Sequence, residues 1–215
     1  IEVIYKDPDC DFPELNLENF SDKIVTVSAA VLNQCTTLRK SSGLIAVIQM
    51  PEWDFEAVLP TLSNLCICDT VQTPSNIGAI VRNAVAFNID AIFLTEGCAD
   101  PFHPESIRAM AGNCVQVPIF YLDQERFRYI VDKDFHVYDC DPHSEISVNQ
   151  VSFHTKSAFL LGSEGQGLIS PYLKSFQTKK RIRISTSSEV ESLNVAVSSG
   201  IIFSALFEHS FSKES

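Results

Sequence analysis

The sequence predicts an α/β protein: a mainly parallel sheet with helices on both faces, preceded by a smaller α/β piece. Three observations lead there. From Leu65 onward, strand-like and helix-like stretches alternate along the chain. Several of the strands are short continuous apolar runs, such as L-C-I-C at 65–68 and A-F-L-L at 158–161, as expected of strands covered on both faces. Between them lie stretches with apolar residues at helical spacing, for example Ile77, Ile80, Val81 and Ala84.

In the small piece at 1–50, I-E-V-I-Y at 1–5 and K-I-V-T-V at 23–27 carry β-branched residues between polar flanks and are predicted strands. Ser28 stands where an N-cap belongs for a short helix over 29–35, and G-L-I-A-V-I-Q-M at 43–50 is a predicted buried strand. At 51–64 two prolines interrupt the strand pattern, which places a linker there with Trp53 and Phe55 as anchors. The larger region, 65–215, then gives strands at 65–69, 90–95, 115–120, 135–140, 157–162 and 181–185. Its predicted helices cover 75–88, 104–111 and 123–132, with a last one through Leu206.

A content of 45% hydrophobic and 20% charged residues excludes a disordered chain, and no apolar run reaches the roughly 18 residues of a membrane helix. No targeting peptide is visible at the start, so a soluble cytoplasmic protein is expected. Seven cysteines without C-x-x-C spacing, most in apolar surroundings, read as reduced thiols. The five histidines have no paired spacing, so no metal is expected. A net charge of −11 opposes non-specific nucleic-acid binding, which leaves local basic patches as the only route to RNA.

Three loops carry the chemistry. The helix from Ser75 presents a strip of small residues, Ser75, Gly78, Ala79 and Ala86, on which Arg82 is the only charge. A planar guanidinium on such a strip suits a phosphate, although a surface arginine on an ordinary helix has the same pattern. G-S-E-G-Q-G-L at 162–168 sets three glycines directly after an apolar strand, either for close backbone approach to a ligand or as a simple turn. It matches neither a P-loop nor G-x-G-x-x-G. In E-S-L-N-V at 191–195, Ser192 can cap a helix rich in small residues, whose N-terminus favours an anion.

Taken together and in order, these stretches resemble the SpoU (TrmH-like) family of RNA 2′-O-ribose methyltransferases, within the SPOUT superfamily. The motif N-x-x-x-x-x-R is met by Asn76 and Arg82, the glycine loop by Gly162 to Leu168, and E-S-L-N-V by Glu191 to Val195. The resemblance covers about 150 residues, from Leu65 to the end. It implies a C-terminal trefoil knot holding S-adenosylmethionine, a homodimer that forms the active site, and an RNA substrate. Residues 1–50 resemble the later part of a ribosomal-protein-like RNA-binding domain, truncated here, whose opening helix and strand would precede Ile1.

By the same resemblance, the reaction is methyl transfer to a ribose 2′-hydroxyl of ribosomal rather than transfer RNA. Arg82 carries it as base or as positioning group, with Asn76, Glu164, Ser192 and Asn194. Leu161, Gly162, Ser163, Gly165, Gly167, Ile184, Ser185, Ser192 and Leu193 hold the cofactor. Arg82 and Arg108 meet RNA, and the basic run at 179–183 offers Lys179, Lys180 and Arg181 as a local RNA patch, although a solvated strand end has the same pattern. One departure stands out: the family reads I-P-M-x-G before E-S-L-N, where this chain has Ile184 followed by Ser185, Thr186, Ser187 and Ser188. That turn motivates the alternative of an RNA-binding or ribosome-assembly paralogue with little catalysis.

Overall fold

The chain divides after Glu52 into two units, Ile1–Glu52 and Trp53–Ser215. The structure, a computed structural model, describes all residues except Leu38, Glu164, Thr178 and Ser215, and only the backbone of 211–214.

In the first unit β1 (Val3–Lys6) is central, with β2 (Ile24–Thr26) parallel to it on one side and β3 (Leu44–Val47) antiparallel on the other. Helix α1 (Ala29–Gln34) follows β2 and buries Leu32. Ser28 occupies the N-cap position of α1 without a side-chain hydrogen bond. The stretch expected as a buried strand over 43–50 is a shorter edge strand, and Val47, Ile48 and Met50 are exposed. An edge strand pairs on one side only, so its apolar residues lack a second neighbour. A 3₁₀ segment at Leu17–Lys23 had no apolar periodicity to announce it.

The second unit is a six-stranded sheet, all parallel, in the order β6-β5-β4-β8-β7-β9. Its strands are β4 (Asn64–Cys68), β5 (Ala91–Thr95), β6 (Ile119–Leu122), β7 (His136–Cys140), β8 (Ser157–Leu161) and β9 (Lys180–Ile182). The period-2 geometry of a strand splits the apolar runs between two cores. Leu65, Ile67 and Leu160 join one cluster; Cys66, Cys68 and Leu161 join the other. The first also holds α5 (Gln124–Asp132) and the short α6 (Pro171–Lys174) through Phe127, Ile130 and Leu173. The second holds α3 (Pro74–Ala86), Met110 of α4 (Pro104–Met110), and the long α7 (Val195–Glu214).

The stretch expected as a linker is structured from Trp53 on. Helix α2 (Phe55–Val58) and a 3₁₀ turn at Leu59–Thr61 bring Trp53, Phe55 and Leu59 onto the α5-side core. Phe55 meets the Phe93 and Phe120 rings edge-on at 6.1 and 5.5 Å. Two strands differ from expectation. The strand placed at 115–120 begins only at Ile119, because Pro118 lacks an N–H for the ladder; its carbonyl accepts from Ile92 N at 2.9 Å. The strand placed at 181–185 ends at Ile182, because Arg183 N turns to the Ile146 carbonyl at 2.8 Å. Among the described residues, no helix is long and apolar enough to cross a membrane. All seven cysteines are free, but only Cys66 and Cys68 are buried and Cys35 is exposed, so the thiols are less sheltered than the sequence suggested.

Candidate active site

Parallel strands put their carboxyl ends, and the loops that follow them, on one side of the sheet. The glycine loop leaves β8 there. Ser163 N donates to the Gly167 carbonyl and Gly167 N to the Ser163 carbonyl, both at 2.9 Å, which closes a tight hairpin. Gly165 and Gly167 adopt φ of +79° and +65°, a region that other residues enter at a cost. Gly162 is required for a different reason: a Cβ there would lie 2.3 Å from the Gly167 carbonyl carbon. Glu164, an expected catalytic residue, lies outside the described residues.

Between this loop and the segment leading into α7 lies a cavity of about 370 Å³. Its lining includes the apolar Leu161, Leu168, Ile182, Ile184, Leu193 and Val195 and the charged Asp139, Asp141, Lys179 and Arg181. Of the residues expected around a cofactor, Leu161, Gly162, Ser163, Gly165, Gly167, Ile184, Ser192 and Leu193 line it. Ser185 does not; its hydroxyl bonds Ser147 Oγ at 3.1 Å and accepts from Arg183 Nη1 at 3.3 Å. The turn from Ser185 to Ser188 is polar and exposed. Cys140 also lines the cavity, and burial pushes its thiol well above the usual range, so it is a poor nucleophile.

The α7 cap is Asn194, not Ser192. Asn194 Oδ1 accepts from Ala196 N at 3.0 Å and Val197 N at 3.3 Å, while Ser192 stands two residues too early and faces the cavity. The same asparagine donates through Nδ2 to Asn76 Oδ1 at 3.0 Å, tying α7 to α3. Asn83, which no sequence motif marked, adds Nδ2 bonds to the Ala196 carbonyl at 2.8 Å and Ser199 Oγ at 2.9 Å. Asn76 and Asn194 thus line a shallow groove between α3 and α7 rather than the cavity.

Arg82 is exposed on α3 and lines neither recess. The small-residue strip on which it lies admits a helix: the Cβ missing at Gly78 would fall 2.2 Å from the Ser106 carbonyl oxygen of α4. Arg108 on α4 is exposed and lies 4.0 Å from Glu105. The expected basic patch is largely committed elsewhere. Lys179 Nζ donates to the carbonyls of Leu173, Lys174 and Phe176 at 3.1, 2.7 and 2.9 Å, fastening the end of α6. Arg181 Nε faces Asp139 and Asp141, each at 3.7 Å. Lys180 remains exposed.

Sequence reasoning also missed Asp69, which is fully buried at the end of β4. Its carboxylate accepts from Ile169 N and Ser170 Oγ at 2.5 Å, and from Ser170 N and Thr95 Oγ1 at 2.9 Å. It joins the loop that opens toward Asn76 to the chain leaving the glycine loop. The only available signal was an aspartate ending an apolar strand.

A sequence model of the SpoU rRNA Methylase family matches residues 63–204. The chain is 29% identical over 181 residues to an uncharacterized tRNA/rRNA methyltransferase of Synechocystis, covering 82% of this chain and 64% of that protein. It thus spans less than two thirds of that relative's length. It is also 29% identical to the Bacillus subtilis 23S rRNA (guanosine(2553)-2′-O)-methyltransferase RlmP, covering 82% of this chain and 69% of RlmP. Among solved structures, the SpoU methyltransferase AviRb of Streptomyces viridochromogenes, in complex with AdoMet, superposes with a TM-score of 0.85 at 18% identity, over 98% of this chain and 83% of that one. An RNA 2′-O ribose methyltransferase superposes at 0.83 with 24% identity, covering 98% of this chain and 82% of that one. At such identities the superpositions speak for the fold, and the family match speaks for descent: the chain belongs to the SpoU rRNA Methylase family.

Proposed function

We propose that this chain transfers a methyl group from S-adenosylmethionine to a ribose 2′-hydroxyl of structured RNA, ribosomal RNA before transfer RNA. The observation that carries the reading is the cavity between the glycine loop and the segment entering α7. Its roughly 370 Å³ fall within the usual range for small-molecule sites, about 300–1,000 Å³. Apolar lining residues and a backbone left bare at Gly165 and Gly167 fit an adenosine-like ligand. When bound, the cofactor supplies a methyl group on a sulfonium, already a good leaving group.

The protein's own part is then to align the hydroxyl and assist loss of its proton. That part falls to Arg82. A guanidinium that keeps its own proton is a poor base, so Arg82 fixes an RNA phosphate and stabilises the forming alkoxide while the hydroxyl proton passes to solvent water. Asn76 and Asn194 hold the two helices that frame the approach.

Arg82 lies outside the cavity of its own chain, which favours a homodimer in which one copy's arginine serves the other's cofactor site. The groove between α3 and α7 is the proposed contact. It presents Ala79, Phe87, Val197 and Ile201, of which Val197 is 52% exposed. A trefoil knot around the cofactor site, RNA binding by the first unit and a reducing cytoplasm complete the proposal. RlmP's named substrate, 23S rRNA, is what favours ribosomal RNA.

The test is methyl transfer by Arg82→Ala and Arg82→Lys proteins, with cofactor affinity measured alongside. Loss of about 100-fold or more in rate at unchanged affinity is expected, the scale of a lost transition-state donor. Near-normal rates in both variants would sink the proposal. A second reading, RNA binding without efficient transfer, is favoured by the polar, exposed Ser185 to Ser188 turn. Calorimetric titration decides between them, since no heat at millimolar S-adenosylmethionine selects the second.

A further inference from the structure

Asp139 is a buried carboxylate that the fold leaves short of partners. It stands in β7, only 7% exposed, on the wall of the cavity. Among the described residues its nearest ion-pair partner is Arg181 Nε at 3.7 Å, beyond hydrogen-bond reach, with Lys179 and Asp141 also close enough to act on its charge. Among the described residues its side chain accepts no hydrogen bond, whereas nearby Asp141 accepts one from His143 N at 2.9 Å. Its oxygens are not sealed from solvent, so the acceptor positions, about four on an ionised carboxylate, are open to water or to a ligand. Burial accordingly pushes the Asp139 carboxyl above its ordinary value, against the lowering pull of Lys179 and Arg181.

We infer that Asp139 is a specificity-determining residue that accepts hydrogen bonds from the ribose hydroxyls of the bound nucleoside. The inference rests on the proposed cofactor site. A cavity lined by apolar side chains and by the acceptors of Asp139 and Asp141 suits a nucleoside, with a flat base and a diol at its other end. Neighbouring hydroxyls are paired neutral donors, and two of them occupy one carboxylate without a further buried charge. Arg181 lies 3.7 Å from both Asp139 and Asp141 on the solvent side, its own side chain being 64% exposed.

The probes are 5′-methylthioadenosine, which carries the ribose but no amino-acid portion, its 2′-deoxy and 3′-deoxy counterparts, and S-adenosylhomocysteine. Calorimetry with the full chain reads the affinities. The wild-type protein is expected to prefer 5′-methylthioadenosine to a deoxy counterpart by about tenfold, the scale of one hydrogen bond to a charged group. In Asp139→Asn that preference should fall to about twofold or less, with S-adenosylhomocysteine weakened in parallel.

Each contrary outcome has its own meaning. Wild-type protein that binds ribo and deoxy forms equally overturns the inference without any variant, so a poorly folding Asp139→Asn does not shelter it. If Asp139→Asn weakens S-adenosylhomocysteine but not 5′-methylthioadenosine, the carboxylate reads the ammonium group and the ribose assignment is wrong. If the wild-type protein binds none of the four, the cofactor-site reading itself fails.

Discussion

At the scale of single residues, the site depends on positions where one atom decides. Gly162→Ala would drive a Cβ into the Gly167 backbone, which has no flexible end to yield. Opening of the 163–167 hairpin is expected to cost about 1–3 kcal/mol of stability, the range for overpacking. Cofactor affinity should drop in the same protein; denaturant unfolding and calorimetry measure the two. Asp69→Asn replaces an acceptor-only group with one that turns an NH₂ toward Ile169 N or Ser170 N. Breaking that buried network should cost about 2–4 kcal/mol by denaturant unfolding. An unchanged midpoint would mean that the loop is held by other contacts.

Asp139 gives the pH dependence. Its folded value is raised, so between the unfolded value, near 3.9, and the folded one the native state holds the proton more strongly. That contribution to stability is present below the unfolded value and lost as pH rises through the folded one. Asp139→Asn should therefore unfold at a higher temperature than wild type near neutral pH, with the gap closing on acidification to about pH 4. Stability gained in the empty protein and affinity lost for the nucleoside would be two readings of one mostly buried carboxylate.

Motif spacing marked the glycines and Ser192, which line the cavity, and Asn76 and Asn194, which bond to each other; it marked Arg82 too, which lines neither recess. Asp69, Asn83 and Asp139 were not marked. Each acts through partners far along the chain, such as Ser170 for Asp69 and Ala196 for Asn83, and no local pattern encodes that.

At the scale of elements, the alternation of periods located nearly every strand and helix of the second unit, because β4 and β8 are covered on both faces and read as apolar runs. Boundaries failed where a tertiary contact sets them. β6 waits for the end of Pro118, and β9 stops where Arg183 leaves for Ile146. Helix α6 was invisible, since four residues carry no period. Its end is fastened by Lys179, three carbonyls to one ammonium. Lys179→Met keeps the stem and removes the donors, so a loss of about 1–2 kcal/mol is expected, on the scale of charged hydrogen bonds and a helix C-terminus. RNA affinity should change little, whereas Lys180→Glu should weaken RNA binding and flatten its salt dependence. The reverse ranking would return the RNA contact to Lys179.

At the scale of the whole molecule, the question is whether one chain can make one site. Helix α7 is apolar on more than one side: Ile202, Phe203 and Leu206 enter the sheet core while Val197 and Ile201 stay exposed along the groove with α3. A helix with apolar residues around its circumference is normally covered, and a two-fold contact would cover the same patch on both copies. Ile201→Glu should then yield monomers by light scattering and abolish methyl transfer while leaving 5′-methylthioadenosine binding intact. The arrangement of Arg82 sharpens the test. Arg82→Ala and Gly162→Ala proteins should each be inactive as homodimers. If the arginine of one copy serves the cavity of the other, a mixed dimer of the two variants holds one complete site, built from the Arg82 of the glycine variant and the cavity of the arginine variant. Random exchange makes about half of the dimers mixed, each with one working site of two, so about a quarter of wild-type activity should return on mixing. If arginine and cavity act within one chain, no mixed dimer contains a complete site, and mixing would restore nothing.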